Sequence, residues 1–189
     1  MKIYKLVEIF YSLQGEGIRV GTPNIFVRFS YCNLSCDFCD TPYNDVNHEF
    51  TLSELISEIK SYPCKNIIFT GGEPTLQLDD ELLKELKEEG YYLAIESNGI
   101  KPVPELIDFI CVSPKSKKFS QMSGDELKFV LKAGDPLPEK VKGFSDYLIS
   151  PEMKYDSPNF ENINYCVELV KNNPEWRLSI QNHKFLKIR

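Results

Sequence analysis

The sequence predicts an α/β protein with a mostly parallel sheet. Short β-prone segments alternate with amphipathic helices in the first half of the chain, as in parallel strands joined by crossover helices. Polar motifs follow several apolar strands directly, at the edge where α/β sheets and barrels place ligands. Residues 100–150 are too few for full helices after each strand, so the helices there should be reduced. With 189 residues the chain supports one core, and we expect a single domain over residues 1–189.

The spacing of apolar residues predicts the individual elements. A helix over residues 51–60 has apolar positions at i, i+3, i+4 and i+7 from Leu52, and Thr51 with Glu54 forms a capping box at its start. Runs of β-branched and aromatic residues predict the strands. The expected strands are residues 4–12, 24–30, 65–70, 91–96, 109–112, 127–131, 146–150 and 177–180, and the other expected helices are residues 79–90 and 163–172.

The composition excludes two classes of function. With 42% hydrophobic and 26% charged residues it is that of a globular protein, and no run of 18 apolar residues indicates a membrane span. A net charge of −6 without a dense Lys/Arg block removes the usual electrostatic basis for nucleic-acid binding. The N-terminus is too charged for a signal peptide, so a cytoplasmic location with reduced thiols is expected.

Three cysteines at close spacing are the main chemical feature. Cys32, Cys36 and Cys39 have three and then two residues between them. A 4Fe-4S cluster is usually held by four thiolates, so three would leave one iron open for chemistry. The alternative is a zinc site, but zinc favours C-x2-C pairs and four ligands, and the nearest histidine after the loop is His48. The cysteines at 64, 111 and 166 share no metal-like spacing.

Two further motifs have both a structural and a functional interpretation. The loop Leu13-Gln14-Gly15-Glu16-Gly17 is either a hairpin turn or a segment whose backbone approaches a ligand. Arg28 either faces solvent or binds an acidic ligand at the end of its strand.

Gly71-Gly72-Glu73-Pro74 ends the strand at residues 65–70, where glycines allow close approach to a ligand.

The cysteine spacing, Phe38 before the last cysteine and the Gly-Gly-Glu-Pro motif one helix later together resemble the radical S-adenosylmethionine (SAM) superfamily. This resemblance implies a partial, modified (β/α)6 barrel, one 4Fe-4S cluster held by the three cysteines, and SAM bound at the open iron. Reduction of the cluster would then cleave SAM to a 5′-deoxyadenosyl radical. In that superfamily the aromatic residue lies near the adenine, and the Gly-Gly-Glu edge binds the amino group of the methionine part.

The wider pattern resembles one family of that superfamily, the 7-carboxy-7-deazaguanine synthases. The residues that carry this resemblance are Ser12 to Gly17, Arg28, Cys32 to Thr41, Thr70 to Pro74, Glu96 to Gly99, Ser113 to Lys115, and Gln181 with His183 and Lys184. The resemblance implies conversion of 6-carboxy-5,6,7,8-tetrahydropterin to 7-carboxy-7-deazaguanine with loss of ammonia, on the route to queuosine. It also implies a magnesium ion and an electron donor such as flavodoxin or ferredoxin. Because residues 100–150 leave little room for full helices, we expect a homodimer in which a partner subunit covers the exposed side.

The resemblance also implies roles for individual residues. Thr41 would bind magnesium, and Glu96, the candidate catalytic residue, would contact either the SAM ribose or the substrate. SAM would be bound by Phe38, Cys39, Asp40, Gly72, Glu73, Ser113, Pro114, Lys115, Ser150, Pro151, Glu152 and Met153. The substrate would be bound by Leu13, Gln14, Gly15, Arg28, Thr70 and Arg189.

Two positions depart from the family pattern, and two other functions share some of the motifs. Ser150-Pro151 stands where the family often has Gln-Pro, and Arg189 stands at a chain end that often carries proline. A glycyl-radical-enzyme activating enzyme shares the cysteine spacing and the Gly-Gly-Glu-Pro motif, but the Gln14 to Gly17 loop and Arg28 argue against it. A non-catalytic iron–sulfur or zinc protein is the other alternative.

Overall fold

The computed structural model describes residues 2–153 and 158–189. Its strands are β1 (Tyr4–Leu13), β2 (Pro23–Phe29), β3 (His48–Phe50), β4 (Asn66–Gly71), β5 (Tyr92–Ser97), β6 (Phe109–Val112), β7 (Gly124–Leu131), β8 (Phe144–Pro151) and β9 (Arg177–Leu178). Its helices are α1 (Leu52–Lys60), α2 (Asp80–Glu88), α3 (Phe160–Lys171) and α4 (Asn182–Leu186), with a short 3-10 turn at Pro74–Leu76.

Within the described residues the nine strands form one sheet in the order β3-β1-β2-β4-β5-β6-β7-β8-β9. Strands β3, β1 and β2 pair antiparallel, and every pair from β2–β4 to β8–β9 is parallel. Residues 98–143 contain no helix, although all of them are described. The prediction of a mostly parallel sheet with reduced helices in the second half is therefore confirmed.

Helices α1 and α2 cover the face of the sheet opposite the one on which α4 lies. On this face Leu55 and Ile59 of α1 and Leu82 of α2 pack with Ile67 of β4 and Leu93 of β5, and all five are fully buried. The capping box at Thr51 forms as expected, with Glu54 accepting from the backbone N–H of Thr51 at 2.8 Å. The predicted helices therefore form because each has one apolar face to bury against the sheet.

Three elements differ from the prediction. The structure adds β3, which pairs with β1, and the short helix α4 near the end of the chain. The third predicted helix begins at Phe160 rather than at 163, because Asn159 caps it by accepting from the N–H of Asn162. Strand β3 has only three residues and α4 only five, and such short elements carry too little periodicity to be recognised in a sequence.

No helix in the described part of the chain combines the length and the apolar character that crossing a membrane would take.

Candidate active site

The face of the sheet opposite α1 and α2 changes from apolar to polar along the strands. Side chains two residues apart on a strand share a face. On β2 the apolar Phe26 therefore shares this face with Arg28, and on β4 the apolar Ile68 shares it with Thr70. The register pairs Arg28 with Thr70. On β5 Ala94 likewise shares this face with Glu96. The apolar residues form a small core under one end of this face, and the polar residues form the floor of a cavity at the carboxyl ends of the strands.

This cavity has a volume of about 960 Å³ and brings together most of the residues that the sequence singled out. It is lined by the predicted cluster ligands, magnesium ligand and substrate-binding residues Cys32, Cys36, Cys39, Thr41, Leu13, Gln14, Gly15, Arg28, Thr70 and Arg189. It is also lined by Glu96, Phe38, Asp40, Gly72, Ser113, Lys115, Ser150, Pro151, Glu152 and Met153. Their proximity is a structural finding, and the ligand that each contacts stays a prediction.

Glu73 and Pro114 do not line the cavity. Glu73 is fully buried, and its carboxylate accepts hydrogen bonds from the side chain of Ser97 at 2.9 Å and the backbone N–H of Asn98 at 2.8 Å. The N–H and hydroxyl of Thr75 donate to the same carboxylate at 3.1 and 2.7 Å. The Glu73 side chain thus holds the ends of β4 and β5 together. Its carboxylate faces these protein groups and does not face the cavity.

The two glycines of the Gly-Gly-Glu-Pro motif let β4 lie against the start of the cysteine loop. A Cβ on Gly72 would lie 1.9 Å from the carbonyl oxygen of Tyr31, and a Cβ on Gly71 would lie 2.2 Å from that of Phe29. The N–H of Gly72 donates to Phe29 at 3.0 Å, and the N–H of Glu73 donates to Tyr31 at 2.9 Å. The close approach predicted for these glycines is therefore an approach to the protein's own backbone.

The cysteine loop brings its three thiols to the cavity. Cys32, Cys36 and Cys39 are free thiols that line the same cavity. Burial raises the pKa of Cys32 and of Cys36, and the nearby Cys39 thiol raises both pKa values further. Among the described residues no three Cys, His, Asp or Glu side chains are placed to share one metal ion.

The loop between β1 and β2 is both a hairpin connection and a wall of the cavity. Strands β1 and β2 pair antiparallel, and the N–H of Gln14 donates across the loop to Thr22 at 2.8 Å. A Cβ on Gly15 would lie 2.2 Å from Nδ1 of His183, and Gly17 has a φ of +71°. The loop needs its glycines because α4 packs directly on it, so its two interpretations are compatible.

Arg28 faces the cavity, as the functional interpretation of this residue predicted. Its Nε donates to Glu8 Oε1 at 2.8 Å, and Arg189 donates to the other oxygen of Glu8 at 2.8 Å. Arg28 also approaches the hydroxyl of Thr41 at 3.5 Å. Glu8 therefore orients the guanidinium of Arg28, with Thr41 beside its outer edge.

A buried ionic network connects the hairpin loop to the sheet. Lys128 of β7 lies 2.7 Å from Glu16 and 3.8 Å from Glu96, and its side chain is 5% exposed. Gln14 donates to Glu96 at 2.8 Å, and Gln181 donates to Glu16 at 3.0 Å. Burial acts to raise the pKa of Glu16, but Lys128 outweighs it and the pKa falls to about 2.

Several residues that line the cavity have no role predicted from the sequence. These are Glu8, Glu16, Leu34, Asn98, Lys128, Gln181, His183 and Lys184. Lys128 carried a usable signal, because it is a charged residue inside an apolar strand and shares the cavity face with Val130. Lys184 belongs to the tail residues that carried the family resemblance, but only the fold brings it 2.8 Å from Asp40 of the cysteine loop.

A cavity at the carboxyl edge of a parallel sheet, with a three-cysteine loop beside a Gly-Gly-Glu-Pro motif, defines a radical SAM protein. Residues 26–114 match the family model described as Radical SAM superfamily. The crystal structure of QueE from Escherichia coli has the same fold, with a TM-score of 0.73, 22% identity, and coverage of 96% of this chain and 95% of that one.

The relatives narrow the family further. The 7-carboxy-7-deazaguanine synthase of Bacteroides thetaiotaomicron is 42% identical over 98% of both chains. Those of Haemophilus influenzae and Neisseria meningitidis are 40% and 38% identical, each over 98% of this chain and 94% of the relative. The chain belongs to the 7-carboxy-7-deazaguanine synthase family, and the glycyl-radical activating alternative is therefore wrong.

Proposed function

We propose that this protein converts 6-carboxy-5,6,7,8-tetrahydropterin to 7-carboxy-7-deazaguanine with loss of ammonia, in queuosine or deazapurine biosynthesis. The observation that carries the proposal is a shared cavity: the loop from Leu13 to Glu16 and Arg28 line the same space as the three cysteines. A small substrate held by the loop and the arginine would therefore lie beside the place where the radical forms. The full-length identity to synthases of this name supports the same reaction.

The donor set of the cysteine loop suits a 4Fe-4S cluster, which membership of the superfamily implies. Cys32, Cys36 and Cys39 would hold it and leave one iron for SAM. When bound, the cluster supplies the electron that cleaves SAM into methionine and the 5′-deoxyadenosyl radical. Phe38 and Lys115 form one wall of the SAM site, with the Lys115 ammonium 5.6 Å from the centre of the Phe38 ring. Ser113, Ser150 and the backbone through Met153 are proposed to line the rest of that site.

Arg28 is the proposed partner of the substrate carboxylate. Glu8 binds Nε of Arg28, so the guanidinium is oriented before substrate arrives and its outer edge is aimed at the cavity. Thr70 neighbours Arg28 across the β2–β4 register, and Arg189 shares Glu8 with it. The substrate carboxylate would therefore lie over the ends of β2 and β4.

Glu96 is assigned to the substrate side of the cavity rather than to the SAM ribose. Gln14 of the hairpin loop donates to Glu96, and Lys128 approaches it from β7. Both neighbours belong to the part of the cavity proposed for the pterin. An ionised carboxylate there can accept hydrogen bonds from the N–H groups of the pterin ring.

We place a magnesium ion at Thr41 only in the presence of substrate. The Thr41 hydroxyl lies 3.5 Å from a guanidinium nitrogen of Arg28, and a second cation beside it would be repelled. A substrate carboxylate between the two would remove that repulsion. Magnesium usually keeps waters and substrate oxygens as ligands, so one protein hydroxyl is a sufficient donor.

We also propose a domain organisation, an oligomeric state, an electron donor and a cellular location for the enzyme. One continuous sheet supports a single domain over residues 1–189. A homodimer is proposed because residues 98–143 contain no helix that could cover the second half of the sheet. The electron donor is proposed to be a flavodoxin or ferredoxin, and the location the cytoplasm.

Anaerobic reconstitution tests the function directly. The protein is loaded with iron and sulfide and incubated with SAM, magnesium, a reductant and 6-carboxy-5,6,7,8-tetrahydropterin. The expected result is about four irons per chain without zinc, and one deazaguanine product per substrate consumed. A fully loaded protein that cleaves SAM but forms no deazapurine would refute the proposal.

A further inference from the structure

The side chains of two cavity lysines, Lys128 and Lys184, are almost completely buried, and of these two Lys128 is the one that faces two carboxylates. Its Nζ lies 2.7 Å from Glu16 Oε2 and 3.8 Å from Glu96 Oε2, and its side chain is 5% exposed. Glu16 belongs to the hairpin loop and Glu96 to β5, so one ammonium group joins two walls of the cavity. Burying a lysine is costly unless it is paired, and here it is paired twice.

The two carboxylates are held in a matching way. Each has one oxygen facing Lys128 and the other accepting from a glutamine amide, Gln181 for Glu16 at 3.0 Å and Gln14 for Glu96 at 2.8 Å. An amide N–H requires an acceptor, and only an ionised carboxylate is an acceptor at both oxygens. The geometry is therefore built for two negative charges on either side of a buried ammonium group.

Without a cation this arrangement would be unfavourable. Carboxylates that share a buried site repel each other, and the pKa of at least one of them rises. The groups that face Lys128 or its partners are Glu16 on the hairpin loop, Glu96 on β5, Cys111 on β6, Lys115 after β6, Glu126 on β7 and His183 on α4. Burial raises the pKa of Glu126, which also lies near Lys128.

We propose that Lys128 is a positioning residue that keeps Glu16 and Glu96 ionised and oriented as hydrogen-bond acceptors for the pterin. This rests on the proposed function, since it names the residue that prepares the substrate half of the cavity. Lys128 acts through the two carboxylates and does not itself contact the reacting atoms. Burial acts to lower the pKa of Lys128, but its carboxylate neighbours raise it well above its ordinary value, so the ammonium stays charged.

The test compares Lys128→Met, which keeps the length and removes the charge, with Lys128→Arg, which keeps the charge. Lys87→Met is the matched control, because Lys87 pairs with Asp108 at 2.6 Å outside the cavity. Binding of the carboxytetrahydropterin is measured by titration on reconstituted protein with SAM and without reductant, at pH values from about 6 to about 9. Wild-type protein at each pH accounts for the titration of the pterin itself.

Lys128→Met should bind the pterin about 30-fold more weakly than wild type near neutral pH, because a buried charge pair has lost one partner. The loss of pterin affinity in Lys128→Met relative to wild type should be largest at about pH 6, where the carboxylates of the variant are protonated. This loss should become smaller towards about pH 9. Lys128→Arg should stay within about fivefold of wild type at every pH, and Lys87→Met should be unchanged. SAM cleavage without pterin should be unchanged in Lys87→Met.

Several results would overturn the proposal. A folded Lys128→Met protein with wild-type affinity, or with a deficit that is the same at every pH, would show that the charge is not used. If Lys128→Met does not fold, Lys128→Arg decides, because a loss of about 100-fold in that variant would indicate shape rather than charge.

A second measurement does not depend on the proposed function. In Lys128→Met the buried carboxylates should have a pKa above that of the unfolded chain, so ionising them opposes folding. The melting temperature of the variant relative to wild type should therefore fall further as pH rises from about 5 to about 8. Wild-type protein that fails to bind the pterin would refute the function alone, whereas a pH-independent difference in melting temperature would refute the role of Lys128.

Discussion

Arg28 shows how a single residue acquires its role from the neighbours that the fold provides. In the sequence it is a charged residue inside an apolar strand. In the structure its Nε is bound by Glu8, and Glu8 is shared with Arg189. The pair is about one quarter exposed on each side, so the interaction is only partly screened by water. The guanidinium is thus held in place before an anionic substrate arrives.

Replacing Arg28 by alanine should weaken pterin binding by about 30- to 1,000-fold, because the substrate carboxylate would lose a bidentate, charge-assisted contact. SAM cleavage in the absence of pterin should remain, since Arg28 lies on the substrate side. Titration with pterin and analysis of 5′-deoxyadenosine release measure the two effects separately. Arg177→Ala is the control, because Arg177 pairs with Asp146 at an exposed position and should change neither. Loss of both activities in Arg28→Ala would contradict the assigned role.

At the scale of elements, the site depends on how β4 ends. The backbone of β4 runs close to the first residues of the cysteine loop, and Tyr31 there has a φ of +69°. Few non-glycine residues adopt this conformation, so the surrounding hydrogen bonds must hold it. The contact between Gly72 and Tyr31 therefore couples the sheet to the loop that carries the cysteines.

Gly72→Ala should disrupt this contact, because its Cβ would lie 1.9 Å from a backbone oxygen that cannot move freely. We expect a loss of about 2 kcal/mol or more in the free energy of unfolding, together with reduced iron content after reconstitution. Gly134→Ala is the control, because Gly134 also lies in a loop but has no atoms within 4 Å of an added Cβ. With a φ of +92° it should cost about 1 kcal/mol and leave iron content unchanged. Full iron loading in Gly72→Ala would show that the contact does not position the loop.

At the scale of the whole molecule, distant ends of the chain meet over the cavity. Asn182 donates to Gly15 at 2.9 Å, and Lys184 bridges to Asp40 at 2.8 Å with a side chain that is 6% exposed. Ser12 donates to the backbone oxygen of Arg189 at 2.6 Å. The last segment thus closes the side of the cavity that the sheet leaves open, which compensates for an incomplete barrel.

Removing residues 187–189 should open this wall without unfolding the protein. The Arg189 side chain is 71% exposed, so its ion pair with Glu8 contributes less than about 1 kcal/mol to stability. We expect the KM for the pterin to rise about tenfold or more, with little change in melting temperature, because a preorganised wall of the site is lost. Arg189→Ala separates the side chain from the backbone contact with Ser12. An unchanged KM in the shortened protein would remove Arg189 from the substrate site.

The parts of this protein that depend on local residue spacing could be predicted from the sequence alone. The cysteine loop, the Gly-Gly-Glu-Pro motif and the capped helix α1 are each defined within a few residues, and the alternation of apolar segments predicted the parallel sheet. The glycines of the hairpin loop were visible too, although the neighbour that requires Gly15 was not, because His183 lies far along the chain.

Which charged side chains lie in contact depends on the tertiary structure. It paired Arg28 with Glu8, enclosed Glu73 away from the cavity, and brought Lys128 to both Glu16 and Glu96. These partners are separated by between 20 and 112 residues, as for Glu8 with Arg28 and Glu16 with Lys128. The energy of such contacts depends on distance and burial in three dimensions, which no local pattern of residues records.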